Sequence, residues 1–231
     1  MRIVKNIVKN CFNLTGYEIS RKKELIPGIY SDNKEFMEIF YQIKDYTVVS
    51  VDRLFLIYQF AKQTLLLSGE VAEVGVYKGG TAKLLANVFN ETLKTIHLFD
   101  TFSGLPEIDP EKDNPQFDQS INFADTSLEA VRDYLKEFDN IKYYEGLFPG
   151  TAESVAGNQF CFVYIDVDIY RSVRACLEFF YPKMVSGGIL ICDDYKSENW
   201  PGVQKAVNEF FNDKGEYPIH TVPHQCVVVK Q

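Results

Sequence analysis

The sequence predicts an α/β fold, a doubly wound and mostly parallel sheet with helices on both faces. Three observations carry that expectation. Short β-rich runs alternate with helical stretches from residue 51 onward. Two of the runs, "FCFVYID" and "ILICDD", are almost continuously apolar, as strands covered on both faces must be. A glycine-rich turn, "GVYKGG", leads from the first strand straight into a helix.

In chain order, residues 24–45 read as a polar stretch and "VDRLFLIYQFAKQTL" (51–65) as a helix with apolar residues at helical spacing. "GEVAEVGV" (69–76) is the first strand, "YKGGTAKLLANVFN" a glycine turn and helix, and "KTIHLFD" (94–100) the second strand. Residues 101–126 are rich in Pro, Gly and Asp, the composition of a binding loop or lid. "SLEAVRDYLKEF" (127–138) is a helix capped by Ser127 or Thr126. "IKYYEGLF" (141–148) and "QFCFVYIDVD" (159–168) follow as strands, then the helix "YRSVRACLEFFYPKM" and a "VSGG" turn. "ILICDDY" (189–195) is the fifth strand, "GVQKAVNEFFND" a helix, and "YPIHTVPHQCVVVKQ" a closing pair of strands.

The 231 residues suit one such domain, 46–231, behind an N-terminal extension or helical lid, 1–45. Hydrophobic residues at 46% and charged residues at 24% are ordinary globular usage. Five scattered cysteines (Cys11, Cys161, Cys176, Cys192, Cys226) form no CxxC pair, which points to a reducing, cytoplasmic location. A net charge of −8 argues against nucleic-acid partners. No apolar stretch approaches the ~20 residues that cross a bilayer. The N-terminus, "MRIVKNIVKNCFNLTGYEISRKKELI", is basic and amphipathic without a signal peptide's apolar segment. It suits a peripheral contact with an anionic membrane, or a helix packed on its own domain or on a dimer mate.

Chemistry concentrates at the strand ends, where doubly wound sheets bind ligands. The first turn is not GxGxxG: Glu73 precedes Gly75, and Gly79 and Gly80 follow. An acid there would repel a dinucleotide pyrophosphate and suits a cationic ligand carrying an ammonium or sulfonium. Asp100, ending the second strand, stands where such folds hydrogen-bond ribose hydroxyls. Together they favour S-adenosylmethionine. Asp166, Asp168, Asp193 and Asp194 end two apolar strands. Any one of them fits a turn or helix cap, but four carboxylates so close repel one another unless a divalent cation joins them. His97, in the second strand, reads as a core residue. His220, His224, Trp200, Tyr77 and Lys78 are open to surface, packing or ligand roles.

The segments "YTVVSVDRLFLIYQFAK", "VAEVGVYKGGTAKLLA", "HLFDTFSGLPE", "YIDVDIYRSVRACLEFFYPKMVSGGILICDDY" and "YPIHTVPHQCVVVK" resemble, in that order, the macrocin O-methyltransferase (TylF-type) family. The resemblance runs over roughly residues 45–230. It implies a seven-stranded Rossmann-like methyltransferase sheet with an antiparallel last strand, using S-adenosylmethionine and a divalent metal, usually magnesium. It implies Asp166, Asp193 and Asp194 as metal ligands and Asp168 as general base. Glu73, Gly75, Gly79 and Asp100 fall where the family binds the cofactor, and Tyr46, Thr47 and Ser50 in its cofactor-covering segment. Val48 and Val51 depart from the Met and Pro often found there, and "CVVVK" lacks the family's aromatic residues. The function expected is O-methylation of a sugar hydroxyl on a glycan, nucleotide-sugar or glycosylated metabolite, by a homodimer. The alternatives are a catechol or phenol O-methyltransferase, which usually ends the fifth strand in D-N rather than D-D, and a non-catalytic binding protein on the same fold.

Overall fold

The structure is a computed structural model describing residues 28–114, 116, 122–221 and 224–231. Cys11 and the basic N-terminal segment, with the membrane and dimer contacts expected of it, lie outside the described residues. The chain divides into two units, 1–32 and 33–231. Of the first, one helical turn, Gly28–Ser31, is described.

The second unit holds seven strands among its described residues: β1 Glu70–Val74, β2 Ile96–Asp100, β3 Ile141–Glu145, β4 Phe160–Ile165, β5 Met184–Cys192, β6 Ile219–Thr221 and β7 Gln225–Val229. Their order is β3-β2-β1-β4-β5-β7-β6. The first five are mutually parallel, and β7 runs antiparallel to β5 and β6. This is the expected mostly parallel sheet with an antiparallel last strand. Six α-helices accompany it among the described residues: α1 Lys34–Ile43, α2 Val51–Gln63, α3 Gly80–Phe89, α4 Leu128–Tyr134, α5 Tyr170–Phe180 and α6 Pro201–Phe211.

Both faces of the central strands are covered, which is why β4 is buried along its whole length. Val163, Ile165, Leu190 and Cys192 join one core cluster with Val173, Leu177 and Phe180 of α5 and Val207 and Phe210 of α6. On the opposite face Phe162 meets Phe89 of α3 ring to ring, and α1 and α2 pack against α3.

Two expectations need correction. The stretch read as polar contains α1, whose Phe36, Met37, Ile39 and Ile43 are buried. Four charged or amide residues in "KEFMEIFYQI" mask that apolar face. Asn33 caps the helix, accepting from Phe36 N at 3.0 Å. The "VSGG" turn is instead part of β5. There Phe160 pairs with Met184 and Phe162 with Ile189, so β5 carries extra residues in a bulge. Gly187, at φ +79°, takes the turn while its N–H still reaches Lys230 O at 2.7 Å.

Register then positions the site. Val74 pairs with Phe99 and Ile165, and Ile165 with Cys192. The carboxyl ends of β1, β2, β4 and β5 are therefore level, and chain order reverses between β1 and β4. That reversal is the switch point at which such sheets open a crevice.

Candidate active site

A cavity of ≈ 300 Å³ occupies that place, with Gly75, Asp100, Asp166, Asp168, Asp193 and Asp194 among its lining residues. Val48, Val49, Leu105, Phe123, Leu147 and Trp200 supply apolar lining.

The glycine side is built by close backbone approach. Gly75 has φ +89°, and a Cβ on it would stand 1.8 Å from the Asp166 carbonyl oxygen. No other residue fits between β1 and β4 there. Gly79, at φ +86°, turns the chain into α3. Gly80 N donates to Tyr46 O at 3.1 Å, and a Cβ on Gly80 would meet Thr47 Cβ and Tyr46 O, each at 2.7 Å. The 46–50 segment thus lies against the start of α3. Tyr46 stacks on Tyr134 with ring centroids 3.9 Å apart.

Asp100 organises two loops. Its Oδ2 accepts from Val76 N at 2.6 Å and Tyr77 N at 2.9 Å, and its Oδ1 accepts from Phe102 N at 2.7 Å. Glu73 is 1% exposed and its Oε2 has no hydrogen-bond partner. Burial first, then the charge of Asp100, holds its pKa well above the usual carboxylate range. Thr47 and Ser50 use their hydroxyls locally, accepting from Val49 N at 3.1 Å and Arg53 Nε at 3.3 Å. Their neighbours Val48 and Val49 line the cavity in their place. Tyr77 also lines it, and Tyr77 OH and Lys78 Nζ both reach Asp125, at 2.8 and 2.5 Å. That clasp ties the end of the 101–126 loop to the glycine turn.

The acidic side gathers all four expected aspartates. Asp168 and Asp194 adopt left-handed backbone, φ +60° and +55°, a conformation that costs of order 1 kcal/mol and concentrates at functional sites. Asp166, Asp168 and Asp194 each present an oxygen within 4.8 Å of the others. Asp193 is 3% exposed. Its Oδ2 accepts from Arg53 Nη1 at 2.8 Å and from Tyr164 OH at 2.9 Å, while its Oδ1 is buried without a partner.

Burial, followed by neighbouring carboxylates, pushes the pKa values of Asp166 and Asp168 well up. Asp193 is pushed up to about 6 by burial, although the Arg53 charge pulls it down. Converging hard oxygen donors that repel one another, beside an orphaned carboxylate oxygen, fit a divalent cation of the magnesium or calcium type.

Sequence reasoning missed Arg53 and Tyr164. Both lie inside regular elements, α2 and β4, whose apolar pattern explains their neighbours and hides them. A charged residue in the first turn of a helix preceding the glycine strand was the available signal.

His97 is wholly buried, between Tyr144 OH at 2.9 Å and Glu70 Oε2 at 2.6 Å, far along β2 from its carboxyl end.

A family model described as macrocin-O-methyltransferase (TylF) matches residues 44–231. The chain is 25% identical over 190 residues to the 8-demethyl-8-(2,3-dimethoxy-alpha-L-rhamnosyl)-tetracenomycin-C 4'-O-methyltransferase of Streptomyces olivaceus, covering 75% of this chain and 69% of that protein. It is 26% identical over 161 residues to the mycinamicin III 3''-O-methyltransferase of Micromonospora griseorubida, covering 64% of this chain and 62% of that protein. Among solved structures, the O-methyltransferase NovP shares the fold with a TM-score of 0.69 at 24% identity, over 80% of this chain and 82% of that one.

Proposed function

The chain belongs to the macrocin-O-methyltransferase family, and we propose that it moves a methyl group from S-adenosylmethionine to a sugar hydroxyl of a small glycosylated metabolite, glycan or nucleotide-sugar, with the help of magnesium or a similar cation. The observation that supports this most is the single cavity shared by the glycine turn, Asp100 and the four aspartates at level strand ends. The Streptomyces olivaceus relative is named for methylating a rhamnosyl-bearing compound, which favours sugar acceptors over catechols. The Asp193–Asp194 pair that follows β5, in place of D-N, favours the same choice.

When bound, S-adenosylmethionine supplies an electrophilic methyl group and the cation supplies Lewis acidity that makes an acceptor hydroxyl more acidic. The chain's own residues do the rest. Gly75 and Gly79 let the backbone approach the cofactor, Asp100 faces its ribose hydroxyls, Glu73, whose raised pKa an adjacent cation would lower, stands toward its positive end, and the segment holding Thr47 and Ser50 covers it. Asp166, Asp193 and Asp194 hold the cation in this reading, and Asp168 accepts the proton leaving the acceptor hydroxyl. Val48, Leu105, Leu147 and Trp200 keep water away from the reacting groups.

The same proposal treats 46–231 as the catalytic domain and 1–45 as its helical extension. It includes a cytoplasmic homodimer whose basic N-terminus touches a membrane surface or the mate. The four described cysteines are free and buried, consistent with a reducing location. Among the described residues no helix is long and apolar enough to cross a membrane.

The test is transfer of a labelled methyl group from S-adenosylmethionine to rhamnosylated, nucleotide-sugar and catechol acceptors, with magnesium and with chelator. Label entering a sugar acceptor only with magnesium, and lost in Asp166→Asn, is the expected result. Faster labelling of catechols would replace the acceptor class. No transfer to any acceptor would favour the binding-protein alternative.

A further inference from the structure

Among the described residues lining the cavity, Arg53 is the one cation, and it shares the lining with five carboxylates: Asp100, Asp166, Asp168, Asp193 and Asp194. Its side chain is 16% exposed, and one nitrogen, Nη1, serves both members of the "DD" pair, at 2.8 Å from Asp193 Oδ2 and 3.3 Å from Asp194 Oδ1. Nε donates to Ser50 Oγ at 3.3 Å, fixing the guanidinium from the start of α2. Arg53 therefore reaches 141 residues along the chain to the same Asp194 that converges with Asp166 and Asp168.

We propose that Arg53 is a positioning residue and an internal counter-cation: it holds Asp193 and Asp194 in place in the metal-free protein and competes with the divalent cation for both. This role rests on the divalent-cation reading above. The argument is electrostatic. Without a metal, the guanidinium is the nearest charge offsetting the repulsion among four clustered carboxylates. With a doubly charged cation on the ligands proposed above, Asp166, Asp193 and Asp194, the guanidinium already paired with two of them stands beside it as a like charge in a poorly screened site. Arg53 thus stabilises the metal-free state more than the metal-bound state, and it lowers metal affinity by the difference.

The experiment titrates magnesium calorimetrically into the full chain, without cofactor or acceptor, for wild type, Arg53→Gln, Arg53→Met and Arg53→Lys. The two neutral variants should bind magnesium at least about tenfold more tightly than wild type. Arg53→Lys, which keeps the charge and loses the planar fork, should stay within about threefold of wild type. In the absence of metal the neutral variants should melt lower, and magnesium should recover more of their loss than it adds to wild type. Gln keeps a donor toward Asp193, so it carries the test if Met does not fold.

Unchanged or weaker magnesium binding in the neutral variants would overturn the competition. Equal changes in Lys, Gln and Met would show that the fork geometry matters and the charge does not, which also overturns it. A wild type that binds no magnesium removes the cation reading and this role together. A wild type that binds magnesium, with variants that bind it alike, removes the Arg53 role alone.

Discussion

Gly75 and Asp193 show the two ways a single residue builds this site. At Gly75 the constraint is space, since a side chain would collide with the Asp166 backbone. At Asp193 the constraint is charge. Its surroundings favour the neutral acid, so the folded chain keeps that proton up to about pH 6, whereas the unfolded chain releases it near 3.8. Asp193 therefore contributes its full stability below the lower value and loses it as pH rises through the upper one. Replacing Asp193 with Asn removes that loss. In chelator, the melting temperature of Asp193→Asn minus that of wild type should increase from about pH 4 to about pH 7. A flat or falling difference would contradict the raised pKa.

Glycines and aspartates such as these were legible in the sequence because they interrupt apolar strands where nothing about packing asks for them. Arg53 and Tyr164 were not, because their roles exist only once α2 and β4 are brought beside Asp193 at the end of β5.

Among the elements, strands and helices were legible wherever burial imposed a period. The runs ending at Ile165 and Cys192 are buried on both faces and read as apolar. α1 was hidden because its buried residues alternate with charges and because Asn33, its cap, follows an unpatterned stretch. The β5 bulge was hidden because a Gly-Gly pair signals a turn more often than a strand irregularity.

The packing of the 46–50 segment on α3 could not be read either, since it depends on what Gly80 lacks. Gly80 opens α3, and by helix propensity alone Ala there would add up to about 1 kcal/mol. Contact instead predicts harm, with the added Cβ 2.7 Å from Tyr46 O and Thr47 Cβ. Gly80→Ala should lower the melting temperature and weaken binding of S-adenosylhomocysteine, both readable by calorimetry. A variant more stable than wild type, binding as well, would show that the 46–50 segment is not held by this contact.

For the molecule as a whole, the alternation of strands and helices made the sheet legible, and the family resemblance supplied its closing antiparallel strand. The order β3-β2-β1-β4-β5-β7-β6 then makes one place, the switch between β1 and β4, where the glycine turn and a cluster of carboxylates share a cavity. The acceptor was not legible and does not follow from the sheet. The cavity is lined in part by Thr101, Gly104, Leu105, Pro106 and Phe123, and the ends of that connection are held by Asp100 and by the Asp125 clasp rather than by any periodic pattern.

The central claim is that the glycine side of this cavity binds an adenosyl cofactor independently of the acidic side. The measurement that tests it most directly is calorimetric titration of S-adenosylhomocysteine into the full chain, first in magnesium and then in chelator. The account predicts one site per chain with similar affinity in both conditions. Absence of binding in both would contradict it, and binding that vanishes in chelator would show that the two sides of the cavity form one inseparable site.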